Sequence, residues 1–329
     1  MVRSRLRETI LTSPVGEGDT RPPFRYTFRA MAAVHELILW TDERRRANRV
    51  ARAAIADVLR IEAKFSRYRD DSVTTSINRA AGLAQVAIDG ETAALLRYAD
   101  RCHRLSNGAF DISSGVLRRA WDFRRRPPLV PTSDEIAAAL AHVGWDRVEW
   151  NDAHVRLPNP GMELDFGGIG KEYAADRAAT ICADHGVAAG LVNLGGDVRA
   201  IGPRPDGAPW RVGISHPRVD AAVIGTVEVR DGAVATSGDY ERYFELDGRR
   251  YCHLLDSRTG WPVDHWQSAT VVAPLAILAG SYATIAMLLG ADAPAFLAQH
   301  RVTHLLVRAD GTVVTASPSS ARDAQVVVA

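Results

Sequence analysis

The sequence is poor in lysine, in cysteine and in uncompensated charge. Of its 40 basic residues only Lys64 and Lys171 are lysines, which leaves 38 arginines. Arginine and lysine serve almost equally on a solvated face, so a lysine kept against that bias points to a position that wants its compact ammonium. The three cysteines, Cys102, Cys182 and Cys252, are odd in number, far apart and form no CxxC pair. That pattern argues against a disulfide framework or a structural zinc site. A net charge of +1 over 329 residues gives no basis for binding nucleic acid or an anionic membrane. Long apolar runs are missing too, since nothing approaches the roughly 18 residues that a membrane span needs. The N-terminal stretch MVRSRLRETILTSPVGEGDTRPPF has arginines but no apolar core of signal-peptide length. The expectation is a cytoplasmic protein without a membrane span.

What is present is an ordinary globular composition, 47% hydrophobic and 24% charged. The expected organisation is a loose tail over 1–23 ending at Arg21-Pro22-Pro23, one domain over 24–319, and a short tail over 320–329. Residues 24–40 read as a strand, a break and a second apolar element. Apolar positions at helical spacing (Ala51, Ala54, Ile55, Val58, Leu59, Ile61) predict a long helix over 43–64. Further helices are expected over 91–106 and after Thr132 or Ser133, where Glu135 stands close to capping-box position. VEWND and HVRLP read as a hairpin, 171–185 as a helix, and AAGLVNL at 188–194 as a strand. Several short strands follow, then a helix over about 275–289 and two closing strands. Helices and strands mix without a regular βαβ repeat, so the fold class is expected to be α+β.

Chemistry is expected at four glycine-marked turns. The first is ELDFGGIGKEYAAD at 163–176, which places Lys171 after a glycine cluster. It fails the phosphate-loop template, because Asp165 stands where the first glycine belongs and Glu172 where the hydroxyl belongs. It also fails the dinucleotide fingerprint. Alone it reads equally as a tight turn before a helix or as a close backbone approach to a phosphate. The others are NLGGD (193–197), TSGDYERY (236–243) and YCHLLDSRTGWP (251–262). Each alone is more often a polar turn, but four at strand ends suggest the lining of one cleft. The Cys252–His253 neighbours do not form a thiol dyad, because adjacent residues on a strand point to opposite faces. No Gly-x-Ser-x-Gly elbow is present either.

Taken in order, these pieces resemble the FAD:protein FMN transferases, the ApbE family, over roughly residues 25–318. The matching stretches are FRAM at 28–31, FSRYRDDS at 65–72 followed by Ile77-Asn78, and NGAFD at 107–111. They continue with LDFGGIGKEYAAD, LVNLGGDVRAIG, ATSGDYERYF, HLLDSRTGWPV, and SATVVAP before Ala283-Thr284. The resemblance implies an α+β, two-lobed single domain with mixed sheets and flanking helices. It implies an enzyme that splits FAD, releases AMP and attaches FMN through a phosphoester to a threonine or serine of an acceptor protein, with Mg²⁺. By position, Met31, Tyr68, Ala109, Phe110, Asp111, Asp165, Lys171 and Leu255 would hold FAD, and His253 would be the general base. Gly168, through its carbonyl, and Thr284 would hold the metal. Arg258 reads either as a phosphate clamp or as a structural salt bridge.

The resemblance breaks at informative places. The family's last helix usually carries an aspartate ligand four residues before the threonine, and here that position is Gly280. The family commonly has glycine after the lysine, and here it is Glu172. Glu172 therefore either reaches the metal from the glycine-loop side or merely starts its helix, where acids are favoured. Ala32-Ala33 replaces the usual Gly-Thr. Besides the transferase, a non-catalytic FAD carrier and an FAD pyrophosphatase fit the same residues.

Overall fold

Alternation of buried and exposed residues makes the hairpin Phe24–Ala30 and Ala33–Trp40, with Tyr26, Phe28, Ala30, Leu37 and Leu39 turned inward. Its two turn residues, Met31 and Ala32, both lie in the left-handed region (φ 48° and 61°), the twist that two-residue hairpins need. The computed structural model describes residues 7–10, 23–317 and 324–328. The hairpin belongs to a nine-stranded sheet that continues through Ala189–Leu194, Asp197–Ile201, Gly232–Gly238, Trp266–Ala273, Thr303–Arg308 and Val313–Ala316. Neighbours along this sheet run antiparallel.

Helices Arg44–Phe65, Gly170–Asp184 and Ala276–Leu289 pack on one face. The first buries Ala47, Val50, Ala51, Ala54, Ile55, Val58, Ile61 and Phe65, the stripe expected from its sequence. A smaller sheet of Trp210–Ser215, Val223–Val229 and Ala324–Val328 covers the other face. There Trp210, Val227 and Val229 meet Val234, Val272, Leu305 and Val307. All eight residues of Trp266–Ala273 are buried, as befits a central strand covered on both sides. A separate aromatic cluster gathers around Trp121, Phe244, Tyr251 and Trp261.

The expected α+β class, the capping box at Thr132 and Glu135 and the hairpin Glu149–Trp150/His154–Arg156 are all present. Two segments read as tails instead contribute strands: Arg7–Ile10 pairs with Phe24–Ala30, and Ala324–Val328 with Val223–Val229. Neither four- or five-residue run is long enough to show a period, and a partner's edge decides its conformation. The remainder of both segments lies outside the described residues. The stretch Ala276–Gln299 is apolar and long enough to cross a membrane by composition, yet most of it is buried inside the fold. It is the core helix expected there, extended by a short helix, Ala293–Gln299.

Candidate active site

The glycine-marked turns converge through specific clamps. Asn78 donates from Nδ2 to the Leu164 carbonyl (3.0 Å) and accepts from the Leu164 N–H (2.7 Å). This fixes the SRYRDDS…IN segment against the start of ELDFGG. Ser257 Oγ donates to the carbonyls of Gly108 (2.8 Å) and Ala109 (3.0 Å), so the HLLDSRTG loop is tied to NGAFD. The Phe110 ring lies 3.4 Å from where a Cβ on Gly168 would stand. At Gly195 (φ 63°) a Cβ would lie 3.5 Å from Ala33, 3.7 Å from the His35 ring and 3.8 Å from Lys171 Cδ. The FRAM turn, the NLGGD turn and the Lys171 helix therefore meet at one point.

Asp165 caps the turn Phe166–Gly168, accepting from the Gly167 N–H at 2.8 Å. Its Oδ2 also receives Arg118 at 2.8 Å and Arg67 at 3.1 Å. Burial alone would raise its pKa, but the two guanidiniums hold it below the usual carboxylate range. A Cβ on Gly115 would stand 2.6 Å from Asp165 Cβ and 2.9 Å from Arg67 Nη1. Gly115→Ala is accordingly expected to destabilise the protein by about 1–3 kcal/mol, read as a lower urea midpoint at unchanged slope.

The centre of the site is a compact charged group. Lys171 Nζ is 2.6 Å from Asp197 Oδ2, with the aspartate side chain only 4% exposed. Burial disfavours the ammonium, yet Asp197 and then Glu172 hold its pKa above the ordinary lysine value. Glu172 is 7% exposed, and its Oε2 is buried without a hydrogen-bond partner among the described residues. Burial, and next the adjacent Asp197 charge, push its pKa up. Glu172 lies directly over Gly280, where a Cβ would meet Glu172 Cγ at 2.5 Å and Oε1 at 3.0 Å. Thr284, one turn further along the same helix face, pairs its hydroxyl with Ser237 Oγ at 2.7 Å.

His253 is half-buried, its Nδ1 has no hydrogen-bond partner among the described residues, and its backbone N–H donates to the Arg242 carbonyl at 2.9 Å. Burial lowers its pKa to about 4, helped by the charges of Arg242, Arg118 and Lys171. The imidazole is therefore neutral near pH 7 and able to accept a proton. Cys252 is buried, with its thiol pushed up to about 11, which leaves no thiolate for catalysis. Arg258 forms a forked pair with Asp256 (2.9 and 2.8 Å) and donates to the Leu288 carbonyl (3.2 Å). Of its two readings, the structural bridge is the one seen.

The other predicted residues take distinct places. Ala109 and Phe110 are buried. Asp111 spends its carboxylate on Ser113 (2.7 Å to its N–H, 2.6 Å to its hydroxyl) and on the Trp145 N–H (3.0 Å). The Met31 N–H donates to Glu62, Leu255 bridges to Pro262, and the Tyr68 ring is 71% exposed. Sequence reasoning missed Asp197 as the partner of Lys171, Arg118 beside Asp165 and His253, and Ser237. It also missed Asp176, which accepts from the N–H groups of Ala276 (2.8 Å) and Ile277 (2.9 Å). That carboxylate caps the Thr284 helix from the Lys171 helix and fixes the two against each other.

Comparison with known proteins places this geometry. The model of the ApbE family matches residues 27–307. An FAD:protein FMN transferase of Salmonella typhimurium is 35% identical over 234 residues, covering 69% of this chain and 67% of the relative. One from Klebsiella pneumoniae is 32% identical over 271 residues, covering 80% and 84%. Among solved structures, the ApbE protein of Thermotoga maritima superposes with a TM-score of 0.82 at 33% identity, over 89% of this chain and 97% of that one. The flavinyl transferase ApbE of Pseudomonas stutzeri gives 0.79 at 27% identity, over 91% and 95%. Clamps that tie the glycine turns to neighbouring motifs, together with a family match spanning most of the sequence, lead to one conclusion: the chain belongs to the ApbE family.

Proposed function

We propose that the protein is a metal-dependent FAD:protein FMN transferase, which attaches FMN through a phosphoester to a threonine or serine of an acceptor protein and releases AMP. The observation that carries this reading is His253, a neutral imidazole with an unpartnered ring nitrogen among the cations Arg118, Arg242 and Lys171. A hydroxyl is a weak nucleophile until a base removes its proton. Positive charge around that base suits a phosphorus centre whose oxygens carry negative charge.

In the step, His253 takes the acceptor proton as the acceptor oxygen bonds to the FMN phosphorus. The bridging P–O bond breaks, and AMP leaves with its electron pair. Lys171 and the arginines stabilise charge on the phosphate oxygens. Met31, Ala109, Phe110 and Leu255 shape the flavin cradle, and the exposed Tyr68 offers a ring for stacking. Asp111 and Asp165 act by holding their loops in place.

A magnesium ion fits the residues present. Among the described residues no group of three or more histidine, cysteine, aspartate or glutamate side chains is arranged around a metal. Mg²⁺, however, is usually held by one or two carboxylates together with substrate phosphates. The unpartnered Glu172 oxygen, the Thr284 hydroxyl and the Gly168 carbonyl are the groups that would hold it. Bound there, it would neutralise charge on the phosphates.

The FAD-carrier reading draws on the missing carboxylate at Gly280, and Glu172 occupies the space over that glycine. Incubation with FAD, Mg²⁺ and a threonine-bearing acceptor separates the readings. Flavin fluorescence retained by the acceptor on a denaturing gel supports transfer. Free FMN with AMP means hydrolysis, and intact FAD means binding alone. The depressed His253 pKa adds a pH signature. kcat/KM for the acceptor should stay level down to about pH 5 and fall tenfold per unit below the base's pKa of about 4. An ordinary histidine would bend the profile near about 6.5.

A further inference from the structure

Three ionisable groups share one buried corner of the site. Glu172 and Asp197 are each more than nine-tenths buried, and Lys171 is the cation between them. One ammonium cannot neutralise two carboxylates, and it is committed to Asp197 at 2.6 Å. Among the described residues Glu172 Oε2 is left without any hydrogen-bond donor. A buried carboxylate in that position is unfavourable unless a proton or a metal cation completes it. The Glu172 side chain crosses the bare face of Gly280, where any Cβ would collide with Cγ. The glutamate and the glycine thus make one arrangement that directs a carboxylate toward Asp197.

We propose that Asp197 completes the divalent-cation site of Glu172, Thr284 and the Gly168 carbonyl, and that Lys171 exchanges Asp197 for a phosphate of FAD when that site is filled. The inference deepens the transferase reading and rests on it only for the identity of the phosphate. Lysine suits the exchange, being a point charge on a flexible stem, and its side chain is 30% exposed while that of Asp197 is 4% exposed. The ammonium can swing outward, and the aspartate stays with the cation. Filling the site and binding FAD are then coupled, and each must tighten the other by the same factor.

The test uses the full chain and measures binding without turnover. Mn²⁺ is titrated in the absence of FAD, with the free ion followed by its electron paramagnetic resonance signal. Wild type is expected to bind one Mn²⁺, with Glu172→Gln and Asp197→Asn each weakening it at least tenfold. Lys171→Met removes the competing ammonium, so Mn²⁺ should bind several-fold tighter while FAD affinity falls at least tenfold. Unchanged Mn²⁺ affinity in either carboxylate variant, or no tightening in Lys171→Met, overturns the proposal. If circular dichroism shows that Lys171→Met does not fold, wild-type FAD affinity with and without Mn²⁺ replaces it. At least tenfold tighter FAD binding with the ion is expected, and equal affinities overturn the exchange. None of these readouts depends on transfer activity, so failure of the transferase reading would leave them intact.

Discussion

Replacing His253 with alanine is expected to slow covalent flavin transfer by about 10²- to 10⁴-fold, the range removed with a general base, while FAD affinity stays near that of wild type. The imidazole is neutral near pH 7, and in the proposed step it takes the acceptor proton. The cations around it remain in the variant, so the phosphates keep most of their partners. Transfer is read as flavin fluorescence on the acceptor and FAD affinity as quenching or calorimetry. A loss under tenfold would place the base elsewhere.

Gly280→Asp is expected to be the most damaging single change to stability, by about 2–5 kcal/mol. The new Cβ would enter the space of Glu172 Cγ, 2.5 Å away, and the new carboxylate would join two others already buried. The two sites share one volume, so their effects cannot be additive. Removing the obstructing side chain in the double variant Glu172→Gly/Gly280→Asp should restore most of the lost stability, although glycine near a helix start costs up to about 1 kcal/mol. Urea midpoints of the wild type, both single variants and the double variant measure the coupling. A double variant as unstable as the sum of the singles would show that the residues do not share the space.

Much of the fold was legible because it is written locally. The helix Arg44–Phe65 declares itself through apolar residues every three or four positions, and Thr132 with Glu135 announces its own cap. The glycine turns were visible as well, since Gly195 and Gly196 carry positive φ that side chains disfavour. Pairings across the chain were not legible. Asp176 caps a helix 100 residues away, and Asn78 clamps a carbonyl 86 residues away. Asp197 could be seen as an acid after two glycines, but only the packed helix shows that Lys171 is its partner. The swap of carboxylate and glycine at 172 and 280 was readable as two oddities. That they are one feature follows from the contact between them.

The transfer reaction is tested most directly by the ratio of AMP released to flavin attached, measured by chromatography and intact-protein mass spectrometry with FAD, Mg²⁺ and a threonine-bearing acceptor. The predicted result is about one AMP for each FMN phosphoester formed, with both abolished together by chelating the metal. AMP in excess of attached flavin, or intact FAD with neither product, would contradict it.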